Sequence, residues 1–231
     1  MNKAIATGLI LLLTATPFAQ VGRRTDDPSA VTIARLRYTG GADWYWGRSA
    51  LPNLHRFLDQ NTPIKAVDRE VNIEATSPEL YKYPILFMTG HGNVKFSDQE
   101  VVALREYLTS GGFLFANDSY GLAPAFRREM KKVFPDQELV ELPFSHPIFH
   151  ILYQFPNGLP KIHEHDNKPP QGFGLFWSAD PARKKRLVVF FAYESDIGDG
   201  LEDSEVYNDP PEKHQAALKM AANIVAYAMM Q

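Results

Sequence analysis

The chain contains no cysteine. That excludes a disulfide scaffold, a thiolate zinc site, a cysteine nucleophile and a lipid anchor on a cysteine behind an export signal. An excess of either charge is missing too: 24 Lys and Arg stand against 27 Asp and Glu, for a net charge of −3. With no basic surplus to wrap a phosphate backbone, nucleic acid is not an expected partner. Internal repeats and low-complexity tracts are absent as well. So is a long apolar run, since the uncharged stretch behind Lys3, Ala4 to Ala19, holds 16 residues where a spanning helix needs roughly twenty.

That stretch, with Leu9-Ile10-Leu11-Leu12-Leu13 at its centre, reads as an export signal cut after Ala19, and it predicts a periplasmic or secreted protein with no stable membrane span. Pro17 fits the small-x-small cleavage rule poorly. Residues 20–30 are polar and without hydrophobic period, hence a linker, and residues 31–231 form one domain. Its 45% apolar and 22% charged residues are an ordinary globular composition.

Apolar alternation from Val31 to Tyr38 predicts a first strand, and Leu51, Leu54, Phe57 and Leu58 the inner face of a helix with Pro52 in its first turn. A weak strand over Ala66 to Ile73 precedes the run Pro84-Ile85-Leu86-Phe87-Met88-Thr89, which predicts a strand buried on both faces. Ser97 and Glu100 form a capping box opening a helix, Gly111-Gly112 ends it, and Phe113 to Ala116 is the next strand. Pro124 opens a helix with Phe126, Met130, Val133 and Phe134 inward and Arg127, Arg128, Lys131 and Lys132 on a solvated face. Leu139 to Leu142 predicts an edge strand, residues 143–171 lose period, Gly174–Ser178 and Arg186–Tyr193 predict two strands, and a helix from about Pro211 closes the chain. Strands alternating with helices predict a doubly wound α/β three-layer sandwich with a mostly parallel sheet, and ligands of such sheets bind outside the carboxyl ends of the strands.

The candidate residues sit in the loops that follow those strands. Gly40-Gly41-Ala42-Asp43-Trp44-Tyr45-Trp46-Gly47 offers close backbone approach and three flat aromatic faces for a sugar ring or base, or else Trp44 and Trp46 cap the core beneath. His91 between Gly90 and Gly92 is a setting for a functional imidazole or for amides facing an anion, or a tight turn that tolerates the histidine. Ser119 stands where a nucleophile elbow would put it, but Asn117 replaces the first glycine of that pattern, and Asp118 or Ser119 can equally cap the next helix. Asp196 and Asp199 are the leading pair in an acidic closing loop whose spacing does not fit an EF-hand. His163 and His165 alternate along extended chain and can share a divalent metal with Asp166 or an acid of the closing loop. The plain alternative is a histidine-rich loop bonding its own backbone.

The strings Ala34-Arg35-Leu36-Arg37-Tyr38, Met88-Thr89-Gly90-His91-Gly92, Phe126-Arg127-Arg128-Glu129-Met130, His146-Pro147-Ile148, Leu159-Pro160-Lys161-Ile162-His163-Glu164-His165-Asp166 and Asp196-Ile197-Gly198-Asp199-Gly200 carry a resemblance. Together they resemble a bacterial family known as domain of unknown function 4159, from about Val31 to the C-terminus. More distantly the plan is similar to the class I glutamine amidotransferase-like fold and its ThuA-like branch, which implies a flavodoxin-like form of the sandwich. The amidotransferase chemistry does not follow, because Asn117-Asp118-Ser119-Tyr120 replaces the cysteine elbow and Phe191-Ala192-Tyr193-Glu194 lacks the histidine. Relatives often carry the domain at the end of longer membrane proteins beside regions resembling von Willebrand factor A modules, which implies an envelope partner. Three expectations result: a crevice binding a small polar, carbohydrate-like ligand through Trp44, Tyr45, His91 and Asp196; a hydrolase or lyase using His91 or His163 with Asp118 or Asp196; or an envelope interaction module.

Overall fold

A computed structural model describes residues 29–180, 182 and 185–231. The export signal, and the linker up to residue 28, lie outside the described residues.

Seven strands form one sheet in the order β2-β1-β3-β4-β7-β6-β5. They are β1 (Ile33–Arg37), β2 (Val71–Glu74), β3 (Ile85–Met88), β4 (Phe113–Asn117), β5 (Val140–Glu141), β6 (Gln171–Trp177) and β7 (Arg186–Tyr193). The first four strands and β7 run parallel, while β6 and β5 are antiparallel at one edge. The order reverses at β1, with β2 on one side and β3 on the other, so a topological switch point lies between β1 and β3.

Alternate residues of the buried strands feed two cores. Ile33, Ile85, Phe87, Phe113 and Phe115 pack under α1 (Ala50–Asn61) and the long C-terminal helix; Ala34, Leu36, Leu86, Met88 and Leu114 pack under α2 (Asp98–Thr109) and α3 (Ala123–Val133). The doubly wound three-layer sandwich is therefore the observed architecture. The remaining helices are two single turns, α4 (Ile197–Gly200) and α5 (Ser204–Tyr207), and the C-terminal α6 (Pro211–Met229). No described helix is long and apolar enough to cross a membrane.

Local chemistry sets the element ends. Both halves of the capping box at α2 form: Ser97 Oγ accepts from the Glu100 N–H, and Glu100 Oε2 accepts from the Ser97 N–H at 2.8 Å. Behind α1, the buried His55 ring accepts the Ile33 N–H at Nε2, 3.0 Å away, and so caps the first residue of β1. Burial holds this imidazole down at about 4.

Two expectations change. The cations of α3 do more than line a solvated face: Arg128, Lys131 and Lys132 are exposed as expected, but the half-buried Arg127 guanidinium lies 4.2 Å from the centre of the Phe173 ring, and Arg128 and Lys132 both pair with the fully buried Glu129. Helical period alone could not show that a carboxylate would be buried among them. The aperiodic stretch 143–171 is likewise well tied down, because the buried Asn223 of α6 accepts from the Leu152 and Tyr153 N–H groups and donates to the Tyr153 carbonyl. Only a 3-10 turn, Pro147–Phe149, is regular there before β6 begins at Gln171, three residues ahead of its expected start.

Candidate functional site

The parallel strands deliver the loops after β1, β3, β4 and β7 to one edge of the sheet. A fifth segment joins them because β6 is antiparallel. Gln171 pairs with Tyr193, so the chain leading into β6, residues 159–170, arrives beside the end of β7. It is stitched there: the Ile162 N–H donates to the Ser195 carbonyl at 2.9 Å, the Ser195 hydroxyl to the Pro160 carbonyl at 2.6 Å, and Lys213 of α6 to the Ile162 carbonyl. This places the His163–His165 segment against the closing acidic loop, with Ile162 buried beneath it.

The β1 loop is held from below by Arg35, whose fully buried guanidinium donates to the carbonyls of Trp46 and Gly47 at 2.6 Å each and to Glu70 at 3.2 Å. Gly40 is needed where the loop turns: its φ is +118°, and a Cβ there would meet the Lys95 nitrogen at 2.6 Å. Asp43 then grips His91 twice, accepting the backbone N–H at 2.6 Å and contacting ring Nδ1 at 3.0 Å. Since a carboxylate accepts only, Nδ1 is the nitrogen that donates in this contact, and in the corresponding neutral tautomer Nε2 is the acceptor. Gly92 joins the neighbouring loop through a 3.0 Å bond from its N–H to the Tyr120 carbonyl.

The aromatics of this loop divide. Trp44 packs onto the core, with Arg37 over its ring at 5.2 Å, while Tyr45 is exposed. Trp46 is the one turned to the cluster, edge-on to His91 at 5.4 Å and donating from its indole N–H to the Tyr207 hydroxyl at 2.7 Å. At the end of β4, Ser119 is fully buried, 3.0 Å from the Thr89 hydroxyl and 3.3 Å from the Asn117 amide, so its hydroxyl lies beneath the crevice rather than in it. Asp118 Oδ1 accepts the Leu122 N–H at 2.8 Å and caps α3; burial pushes its carboxyl up to about 6.

The closing loop is the most strained backbone in the neighbourhood. Glu194 and Asp196 both take left-handed conformations, φ +56° and +59°, which non-glycine residues rarely adopt. The turn drives the Asp196 carboxylate inward, where Oδ2 meets His163 Nδ1 at 2.6 Å, and His163 Nε2 meets Asp209 at 3.0 Å. His165 Nε2 stands 3.5 Å from the same Asp196 oxygen, an ion-pair contact without hydrogen-bond geometry. The hydrogen bond to Asp196 leads in raising His163 to about 8. Burial works to raise Asp196, but its two histidine neighbours outweigh it and the net direction is down. Asp199 is pushed up to about 6 by burial and by the charge of Asp196, against the pull of Tyr207, His91 and Trp46. One ligand atom each of His163, Asp196 and Asp199 lies within 4.8 Å of the others. Asp166 sits apart on the rim, bonded to the Tyr120 hydroxyl at 3.2 Å and to Lys168 at 3.0 Å.

Beside this cluster, a cavity of about 440 Å³ opens between the ends of β4 and β7, lined by Asp118, Tyr120, Arg127, Lys168, Tyr193 and Glu194 among others. The His165 ring lies against Tyr120 at 5.1 Å and connects the cavity to the cluster. Sequence reading offers Trp46 only as one of three stacking aromatics or as a cap on the core, places Arg127 on a solvated face and Glu194 at the start of the acidic loop, and gives Tyr207, Asp209 and Lys168 no role. The clearest available signal was the Asn208-Asp209-Pro210-Pro211 turn, where Asn208 at φ +54° ends α5 and presents Asp209 to His163.

Sheet order and strand ends define a doubly wound α/β protein with a polar crevice at the carboxyl edge of its sheet. The chain belongs to the family described as domain of unknown function (DUF4159), whose model matches residues 32–229. No curated protein matches it.

Proposed function

We propose that this is an exported domain that binds a small polar ligand, of the hydroxyl-rich carbohydrate kind, in the crevice at the carboxyl edge of the sheet. The cavity between β4 and β7 carries the reading. Its volume of about 440 Å³ lies in the range of roughly 300–1,000 Å³ of small-molecule sites. The Tyr120 and Tyr193 rings alternate there with Asp118, Glu194, Arg127 and Lys168, a lining of flat faces and paired donors and acceptors suited to a ring bearing hydroxyls. Glutaminase chemistry has no place in the reading, since the chain has no thiol. The test is calorimetric titration with a panel of mono- and disaccharides. Saturable binding weakened at least tenfold by Tyr120→Ala and by Lys168→Ala is expected, and a panel with no binder, or binders indifferent to both changes, overturns it.

One observation favours a catalytic second reading. His91 has the arrangement of a general base, with Nδ1 held by Asp43 at 3.0 Å, which leaves Nε2 as the accepting nitrogen of that tautomer. A hydrolase or lyase of this kind would lose turnover in His91→Gln while keeping ligand affinity. Absence of turnover across ester, glycoside and uronate substrates leaves binding alone.

A further inference from the structure

The crevice floor holds an arrangement that binding through the neighbouring cavity does not use. Asp196 and Asp199 are almost wholly buried, and each has a carboxylate oxygen, Oδ1, with no hydrogen-bond partner. Leaving a buried charged acceptor unpaired is costly, and two such acceptors on neighbouring carboxylates are costlier. The backbone strain at Glu194 and Asp196 is what brings Asp196 into this position. Strain of that kind persists where the surrounding structure has a use for it.

We infer that His163 Nδ1, Asp196 and Asp199 bind a divalent transition-metal cation, with Asp209 as the outer carboxylate that orients the imidazole. Three observations converge on it. The three ligand atoms already lie within 4.8 Å of one another, and bonds of about 2.0–2.2 Å in tetrahedral geometry put donors roughly 3.3–3.6 Å apart, a closure on the order of an ångström that side-chain rotation supplies. The donor set, one imidazole nitrogen and two carboxylates, is too nitrogen-rich and too small for calcium, which takes six to eight oxygens, and suits zinc or manganese. Finally, Asp209 holds Nε2 of His163 at 3.0 Å, the position of the outer carboxylate in carboxylate–histidine–metal triads. Asp209 keeps the Nε2 proton while the cation replaces the one on Nδ1, which leaves to solvent. His165 stays outside the three-ligand set, its Nε2 facing Asp196, and its ring forms the wall towards Tyr120 and the cavity. A cation here leaves coordination positions for water or for a ligand hydroxyl arriving from that side.

The experiment uses the full chain without a histidine tag, stripped with chelator and titrated with Zn²⁺, Mn²⁺ and Ca²⁺ by calorimetry, with the Co²⁺ visible spectrum as a direct report on coordination. One Zn²⁺ or Mn²⁺ per chain is expected. Affinity should fall at least a hundredfold in Asp199→Asn and His163→Ala, and about ten- to a hundredfold in Asp209→Asn with the stoichiometry kept. Asp166→Asn should leave it unchanged. Circular dichroism of each variant separates loss of the site from loss of the fold, and Asp199→Asn, which keeps size and shape, is the decisive change. No saturable binding by the folded wild type, binding that survives in both Asp199→Asn and His163→Ala, or a preference for Ca²⁺ would each overturn the inference. Because the readout needs no organic ligand, its outcome is independent of the carbohydrate panel.

Discussion

The imidazole of His55 gives a quantitative test of how tightly the two ends of the first crossover are built. Its Nε2 accepts the Ile33 N–H inside the core, so protonation would destroy the bond as well as place a charge there. The drop from the ordinary 6.5 to about 4 corresponds to ~3 kcal/mol of native-state preference for the neutral ring, at ~1.36 kcal/mol per pH unit. Above pH 6.5 the ring is neutral in folded and unfolded chains and adds no pH dependence. Below it the unfolded chain takes up a proton that the folded one refuses, so stability falls with pH until about 4, where the folded ring titrates as well. Asp118 and Asp199, both raised to about 6, work in the opposite sense across part of that window. The informative quantity is therefore the difference between wild type and His55→Gln, whose amide oxygen can still accept but cannot titrate. Urea unfolding, followed by tryptophan fluorescence between pH 7.5 and 4.5, should show the wild type losing about 1 kcal/mol more per pH unit than the variant below pH 6. Parallel curves would refute the claim that a neutral, buried acceptor holds β1 to α1.

Three further outcomes follow from the geometry. Asp118 binds a proton more readily folded than unfolded, so its contribution to stability declines as pH rises from about 4 to 6; Asp118→Asn, which keeps the cap on Leu122, should flatten that decline in the same unfolding series. Asn223→Leu removes three partly buried hydrogen bonds to residues 152–153 and should destabilise by roughly 3 kcal/mol, with new proteolytic cleavage confined to residues 143–171; wild-type protease resistance would show the segment is held by other contacts. A Cβ on Gly198 would meet the Asn117 amide at 2.6 Å and the Thr89 hydroxyl at 3.0 Å, so Gly198→Ala should lower stability by about 1–3 kcal/mol and, by shifting α4, weaken cation binding, whereas unchanged binding would uncouple the helical turn from the site.

The sandwich was legible because its signals are local. The continuous apolar run at Ile85–Met88, the capping box at Ser97 and Glu100, and the glycines ending helices each state their element within a few residues. The individual loops were legible for the same reason, since a doubly wound sheet fixes where strand ends lie. Pairings inside the site were not. His163 meets Asp209 across 46 residues and Asp43 meets His91 across 48, and no periodicity reports which acid faces which imidazole. The reversal of β6 also decided the outcome. Had that strand run parallel, the His163 segment would have led into the opposite edge of the sheet, far from Asp196.

Arg35 grips the aromatic loop by two backbone carbonyls and leaves its side chains untouched. Shape and identity are thereby separated in part: the path of the chain through Trp46 and Gly47 is written in the strand beneath it, so the exposed Tyr45 and Trp46 are free to change, while Gly47 at φ +75° and Asp43, which holds His91, are not. A loop built this way can be rewritten for a different ligand one side chain at a time, each trial starting from a wall already in place. The same grip limits how far the wall can adapt, so new specificity here would come from substitution and little from flexing.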